Sequence, residues 1–350
     1  MRLLIITQKI DLNDDILGFF HRWMEKFSQK FGLINIICLQ KGEALLPSNV
    51  TIRSLGKEMR KSRIQYLYRF YKFIWTLRTN YDVVLIHMNP IYIFLGGIFW
   101  KVWKKKIFLW YNHKYGGFLA DLGIKSAQTA FYTSPFSFTA AYKNSKKMPA
   151  GIDTELFKKI DSIEKQKNAI LYVGRISPVK KVDVLINTAN ILHEKGIDFV
   201  LYVVGAPEEQ DNDYFKTIKT ISKKLEQNGR IKFLGKIPNY KVTEIYNECQ
   251  LAVNLSPSGL FDKTVVEAMA CETIVLVSNK SFKRDLPEEC MFEEGDAKEL
   301  AEKIIFVLNL PEKDKMLYGK NFRNYVVENH SLDRLINDLL TELQLSMQNQ

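Results

Sequence analysis

The sequence predicts an α/β protein built of two doubly wound, Rossmann-like domains. Short runs rich in Val, Ile and Leu alternate with segments of helical period, the rhythm of a parallel sheet wound with helices. That rhythm breaks once, over Lys143 to Lys159, a polar and basic stretch with Pro149 and Gly151 and no apolar period, and then resumes. With 350 residues, 46% of them apolar, the chain has material for two cores. The domains are therefore drawn at 1–148 and 149–330, with 331–350 as a C-terminal helix expected to pack back on the first domain.

Leu3 to Thr7 is a continuous apolar strand, followed by the polar loop KIDLNDD. Gly18 then opens a segment in which Phe19, Trp23, Phe27 and Phe31 recur at helical spacing. Leu33 to Leu39 and Val50 to Ser54 read as strands. Gly56 to Asn80 holds seven basic residues and one acid, interleaved with aromatic side chains, and predicts a basic, aromatic helix. Asp82 to Ile86 is a strand ending at His87, Pro90 to Val102 a helix, and Lys106 to Tyr111 a strand ending at Asn112 and His113. In such sheets ligands sit outside the carboxyl ends of the strands. Both histidines occupy such ends. A surface or capping role is favoured for His87; His113, followed by Gly116 and Gly117, reads equally as a capping imidazole or as a ligand-facing one.

In the second half, Ala169 to Val173 ends at Gly174 and Arg175, Phe199 to Val204 at Gly205, and Ile231 to Leu234 at Gly235. Leu251 to Leu255 leads into SPSGLFDKTVVEAMACETIVLVS, residues 256–278, which reads as loop, short helix and strand. A loop feeding a helix start offers backbone N–H groups and the positive end of a dipole, which suits a diphosphate. Glu267, one turn into that helix, is its only carboxylate besides Asp262.

Composition narrows the class. Cys38, Cys249, Cys271 and Cys290 lie far apart without paired spacing, which argues against a zinc site or disulfide framework and for a reducing cytoplasm. The segment MRLLIITQKI reads as a buried first strand rather than a signal peptide, and Ile91 to Trp100 is about half the length of a spanning helix. The formal charge of +11 predicts anionic partners, but no recognised nucleic-acid module accompanies it.

From Gly174 onward, GRISPVKKVDVLI resembles the GT4-like retaining glycosyltransferases of GT-B fold: strand, G-R, a Lys five residues after the Arg, then a D-x-L-I helix. Supporting matches are PAGIDTELF at 149–157, with Ala150 where the family usually has Asn, VVGAPEE at 203–209, KFLGKIPNYKVTEIY at 232–246, and EAMA at 267–270. The first half agrees more loosely, through DVVLIHMNP and the strand ending at His113. Arg175 and Lys180, five residues apart on a strand-end loop, have the spacing to converge on one diphosphate and offset the charge on a departing nucleotide. The resemblance implies that Glu267 accepts from ribose hydroxyls and that backbone N–H groups near Thr264 and Val265 meet phosphate. It further implies Gly205 and Ile237 beside the nucleotide, Gly18 in a loop facing the donor phosphates, and His113 on the sugar or acceptor side. A departure is Gly259, which stands where the family usually has a sugar-contacting Glu; Asp262 or Lys263 is expected to reach the sugar in its place.

The expected activity is transfer of a sugar from a nucleotide-diphosphate sugar to a glycan or lipid-linked acceptor, with retention and without a metal or other cofactor, since no D-x-D occupies a strand end. A catalytically impaired nucleotide-sugar-binding protein is the alternative that Gly259 suggests. Ile64, Leu67, Tyr68, Tyr71 and Trp75 fall on one helical face and read as core. The sharper expectation is that residues 57–80, with the lysines of 101–106, rest on an anionic membrane, on the inner face of the plasma membrane.

Overall fold

The computed structural model describes residues 1–348. The described residues divide into two units, residues 1–151 with 332–348, and residues 152–331. The first boundary lies after Gly151 rather than Met148. Ala150 is buried, and the Gly151 carbonyl accepts from Trp23 Nε1 at 2.8 Å, so these residues pack as part of the first unit.

In the first unit the order is β1 (Arg2–Ile10), α1 (Gly18–Ser28), β2 (Leu33–Lys41), β3 (Val50–Ser54), α2 (Arg63–Thr76), β4 (Val83–His87), α3 (Ile91–Val102), β5 (Lys106–Trp110), α4 (Phe118–Ser126), β6 (Thr129–Tyr132) and β7 (Ser145–Lys147). Among the described residues these strands form one parallel sheet ordered β3-β2-β1-β4-β5-β6-β7. The period of two explains why its central strands are apolar throughout. Leu3 and Ile5 point into one core with Trp23 and Phe27 of α1, while Leu4 and Ile6 point into the other with Phe70 and Trp100. The polar connection at 143–159 contains β7, whose Ser-Lys-Lys sequence carries no strand signal; it pairs with β6 at the sheet edge, where polar side chains are tolerated.

The second unit runs β8 (Ala169–Val173), α5 (Val182–Glu194), β9 (Val200–Val204), α6 (Asn212–Gln227), β10 (Ile231–Gly235), α7 (Val242–Glu248), β11 (Leu251–Asn254), α8 (Lys263–Ala270), β12 (Ile274–Val277), α9 (Ala297–Leu308) and α10 (Glu312–His330). Its parallel sheet is ordered β10-β9-β8-β11-β12 among the described residues. Order reverses between β8 and β11, which makes their carboxyl ends the switch point. The last helix, α11 (Leu332–Gln348), returns to the first unit, where Leu335, Leu339 and Leu343 join the core beside α1.

The orientation of α2 corrects the sequence reading. Ser62 and Gln65 close a capping box at its start. Its buried residues are Phe70 and Ile74, whereas Ile64, Leu67, Tyr68, Tyr71 and Trp75 are exposed. The helix carries apolar side chains on more than one face, so period alone does not choose which face meets the sheet.

Candidate active site

The site elements of the second unit are loops at the carboxyl ends of β8, β9, β10 and β11. Glycines shape the first three. Gly205 has φ +125°, and a Cβ there would stand 2.0 Å from the Gly174 carbonyl oxygen, so only glycine allows the β8 and β9 ends to meet this closely. Gly174 N–H donates to the Val204 carbonyl at 3.0 Å and Gly205 N–H to the Gly235 carbonyl at 2.7 Å, extending the ladder past the strands. Tyr172 OH holds the Arg175 carbonyl at 2.9 Å.

Arg175 and Lys180 meet different partners. Arg175 Nη1 donates to Glu208 Oε1 at 2.7 Å, and its Nε, buried without a hydrogen bond among the described residues, lies 3.9 Å from Asp211 Oδ2. Lys180 Nζ donates to Ser256 Oγ at 2.9 Å and to Asp262 Oδ2. Ser256 Oγ donates to the same carboxylate at 2.6 Å and Asn254 Nδ2 at 3.0 Å. Burial works to raise the Asp262 pKa, yet the charge and hydrogen bond of Lys180, with those of Ser256 and Asn254, hold it down at about 2. Asp262 is therefore a committed anion. Although it occupies the N-cap position of α8, its side chain makes no cap bond, so the helix start has no side-chain cap. Val265 N–H turns back to the Asp262 carbonyl at 3.3 Å.

Glu267 is buried. Asn239 Nδ2 donates to its Oε1 at 3.1 Å and Tyr246 OH to its Oε2 at 3.3 Å. Burial pushes this carboxyl above its ordinary range, against the opposing pull of Asn239 and of Lys263. Burial likewise lowers the half-buried Lys263 ammonium. Ile237 follows β10 two residues before Asn239, in the same loop that supplies a donor to Glu267. Gly259 has φ +104°, the left-handed region that favours glycine.

Two of the expected residues lie in the first unit. Gly18 is the buried first residue of α1, and the turn that leads into it is held by Asp14 Oδ1, which accepts from the N–H groups of Ile16 (2.9 Å) and Leu17 (2.6 Å). His113 follows β5, its ring 5.2 Å from that of Tyr111. Its accessible area is large, yet neighbouring protein atoms displace enough water to lower its pKa. His87 is buried instead, stacked on Phe20 at 4.3 Å with Thr7 Oγ1 3.3 Å from Nδ1.

Sequence reasoning left out Ser256, Asn254, Glu208, Asn239 and Tyr246, which hold the charged groups in place. Asn254 and Ser256 were approachable as the polar end of a buried strand; nothing in the spacing ties Glu208 to Arg175, 33 residues away.

Residues 153–324 match the family described as Glycosyl transferases group 1. Among solved structures, HepE from Anabaena, in complex with UDP and glucose, superposes with a TM-score of 0.80 at 15% identity, over 98% of this chain and 99% of that one. Sucrose-phosphate synthase from Thermosynechococcus elongatus gives 0.77 at 16%, over all of both chains (100% each). WaaG, a glycosyltransferase involved in lipopolysaccharide biosynthesis, gives 0.69 at 14%, over 96% and 98%. No curated protein sequence matches the chain significantly. Residues 153–324 thus match the glycosyl transferases group 1 family, in a chain with the GT-B fold of these solved structures.

Proposed function

We propose that the protein transfers a sugar from a nucleotide-diphosphate sugar to a glycan or lipid-linked acceptor, with retention of configuration and without a metal. The observation that carries this reading is the meeting of Lys180, Ser256 and Asp262 at the β8/β11 switch point, five residues beyond Arg175, inside a segment that matches the group 1 family. HepE in complex with UDP-glucose makes a nucleotide sugar the donor class to test first.

In this reading the first turn of α8 at Thr264 and Val265 receives phosphate, and Arg175 and Lys180 offset charge on the leaving diphosphate. Gly174 and Gly205 let the β8 and β9 loops approach it. Glu267 accepts from the ribose hydroxyls in its ionised form, and Ile237 lies beside the base. Asp262 acts on Lys180 rather than on the sugar, which leaves Lys263 to reach the sugar where Gly259 supplies no carboxylate. Gly18 opens the helix facing the donor phosphates, and His113 hydrogen-bonds on the sugar or acceptor side, its lowered pKa keeping the imidazole neutral near pH 7. Residues 57–80 and 101–106 bring the enzyme to an anionic membrane, on the cytoplasmic face, for envelope or polysaccharide synthesis.

A thermal-shift panel of UDP-, GDP-, ADP- and TDP-sugars tests the donor. A matching donor at a hundred times its Kd stabilises the native state by about 2.7 kcal/mol, and no shift with any of them removes the reading. Gly259 favours one rival, a protein that binds the donor without transfer. Donor hydrolysis or transfer excludes it.

A further inference from the structure

Residues 59–120 hold 11 of the chain's 50 basic residues and only one of its 39 acids, so they carry ten of its eleven net positive charges. The one acid, Asp82, is tied to Arg2. Of these cations Arg63, Lys72, Lys101 and Lys104 are exposed, on or just beyond two helices that also carry an apolar surface. Ile64, Tyr68 and Trp75 on α2, with Phe94, Ile98 and Val102 on α3, are each more than half exposed, from 53% to 79%. The two helices form one face, because Tyr71 packs on Phe99 and Trp75 on Trp103, each at 5.7 Å between ring centres. Their inward sides are fully used. Phe70 and Ile74 face the core from α2, as Ile93 and Trp100 do from α3, where Gly96 exists because a Cβ would meet the Trp100 ring at 2.5 Å.

We propose that α2 and α3 together insert shallowly into an anionic lipid leaflet. The aliphatic and aromatic side chains reach the acyl boundary, and Arg63, Lys72, Lys101 and Lys104 meet headgroup phosphates. This deepens the membrane contact described above by adding α3 and an apolar component. It rests on that reading for its purpose only. Monomeric surfaces rarely expose so continuous an apolar patch. Two copies placed face to face would bring these cations together with no carboxylate between them, which disfavours a second copy as the occupant. No described helix is long and apolar enough to cross a membrane, so the helices lie along the surface.

Flotation of the purified full chain with phosphatidylcholine vesicles, with and without phosphatidylglycerol, tests the proposal. The protein is expected to float with the anionic vesicles at low salt, and in part at high salt. Ile98→Ser with Val102→Ser removes the salt-resistant fraction and weakens low-salt binding at least about ten-fold, whereas Lys101→Gln with Lys104→Gln weakens only the anionic, low-salt part. Failure to float at low salt, or flotation of the serine variant like the wild type, overturns it. So does a dimer in vesicle-free solution that the serine variant dissociates. Donor-induced thermal shift, measured on the same preparations, is expected to be equal in all of them. Flotation without a donor shift would remove the transfer reading alone, and a donor shift without flotation the membrane face alone.

Discussion

The candidate-site loops of the second unit and the α2–α3 face of the first are both rich in cations, but they treat charge in opposite ways. Around Lys180 and Arg175 each cation meets a carboxylate from a different loop, and polar side chains complete the set. On α2 and α3, Arg63, Lys72 and Lys101 stand in solvent beside exposed rings, and Arg78, just beyond α2, lies 4.9 Å over the ring of Trp75. Paired charge is fixed in position, as a small ligand of defined geometry requires. Unpaired charge over an apolar surface is indifferent to position, as a fluid, extended partner allows.

Breaking the fixed set should give the largest effect. Arg175→Ala with Lys180→Ala is expected to lower transfer by at least about a thousand-fold, each donor accounting for two to three powers of ten, while circular dichroism keeps the native spectrum. Turnover near wild type would dissolve the contrast. Next comes stability: Lys180→Ala leaves the Asp262 carboxylate, only 14% exposed, without its counter-charge, and should cost about 2–3 kcal/mol in urea unfolding. The pH dependence follows from the sign. The Asp262 pKa is depressed from 3.8 to about 2, so its contribution is fully present above pH 4 and is lost as pH falls toward 2. That contribution is roughly 2 kcal/mol, and Asp262→Asn should remove this part of the acid transition.

Glu267 sharpens the same region from the other direction. Its carboxyl is raised by burial, so nucleotide affinity is expected to fall as pH drops from about 8 to about 5 and the ribose acceptor is protonated. Glu267→Gln should bind weakly throughout, with a flat profile in calorimetric titration. The smallest effect belongs to the other face. Lys72→Gln with Lys101→Gln is expected to change stability by no more than about 0.5 kcal/mol, because both side chains are exposed and make no ion pair among the described residues. A larger loss in the same urea measurement would show that they support the fold.

Much of this was legible in the sequence where a residue type and a strand end coincide. The apolar strands and their glycine ends placed Gly174, Arg175, Gly205 and Glu267 at one edge of a parallel sheet without coordinates. What Asp262 does was not legible, because its partner lies 82 residues away and only the register of β8 beside β11 brings them together. The exposed stripe of α2 was misjudged for a different reason. Tyr66, Phe70, Phe73 and Ile74 give a second apolar face, and choosing between two such faces needs the neighbours, which the chain supplies from β4 and α3. Strand β7 was missed because an edge strand needs backbone pairing only, and Ser-Lys-Lys advertises none.

The return of α11 to the first unit has a consequence for synthesis. The core beside α1 closes with Leu335, Leu339 and Leu343, which leave the ribosome long after Gly151. At roughly 5–20 residues per second, that part of the first unit waits on the order of ten to forty seconds for its last layer, while residues 152–331 are complete before it arrives. The unit made first is therefore the unit finished last, and the core that holds Trp23, Phe27 and Phe31 lacks its last layer during the interval.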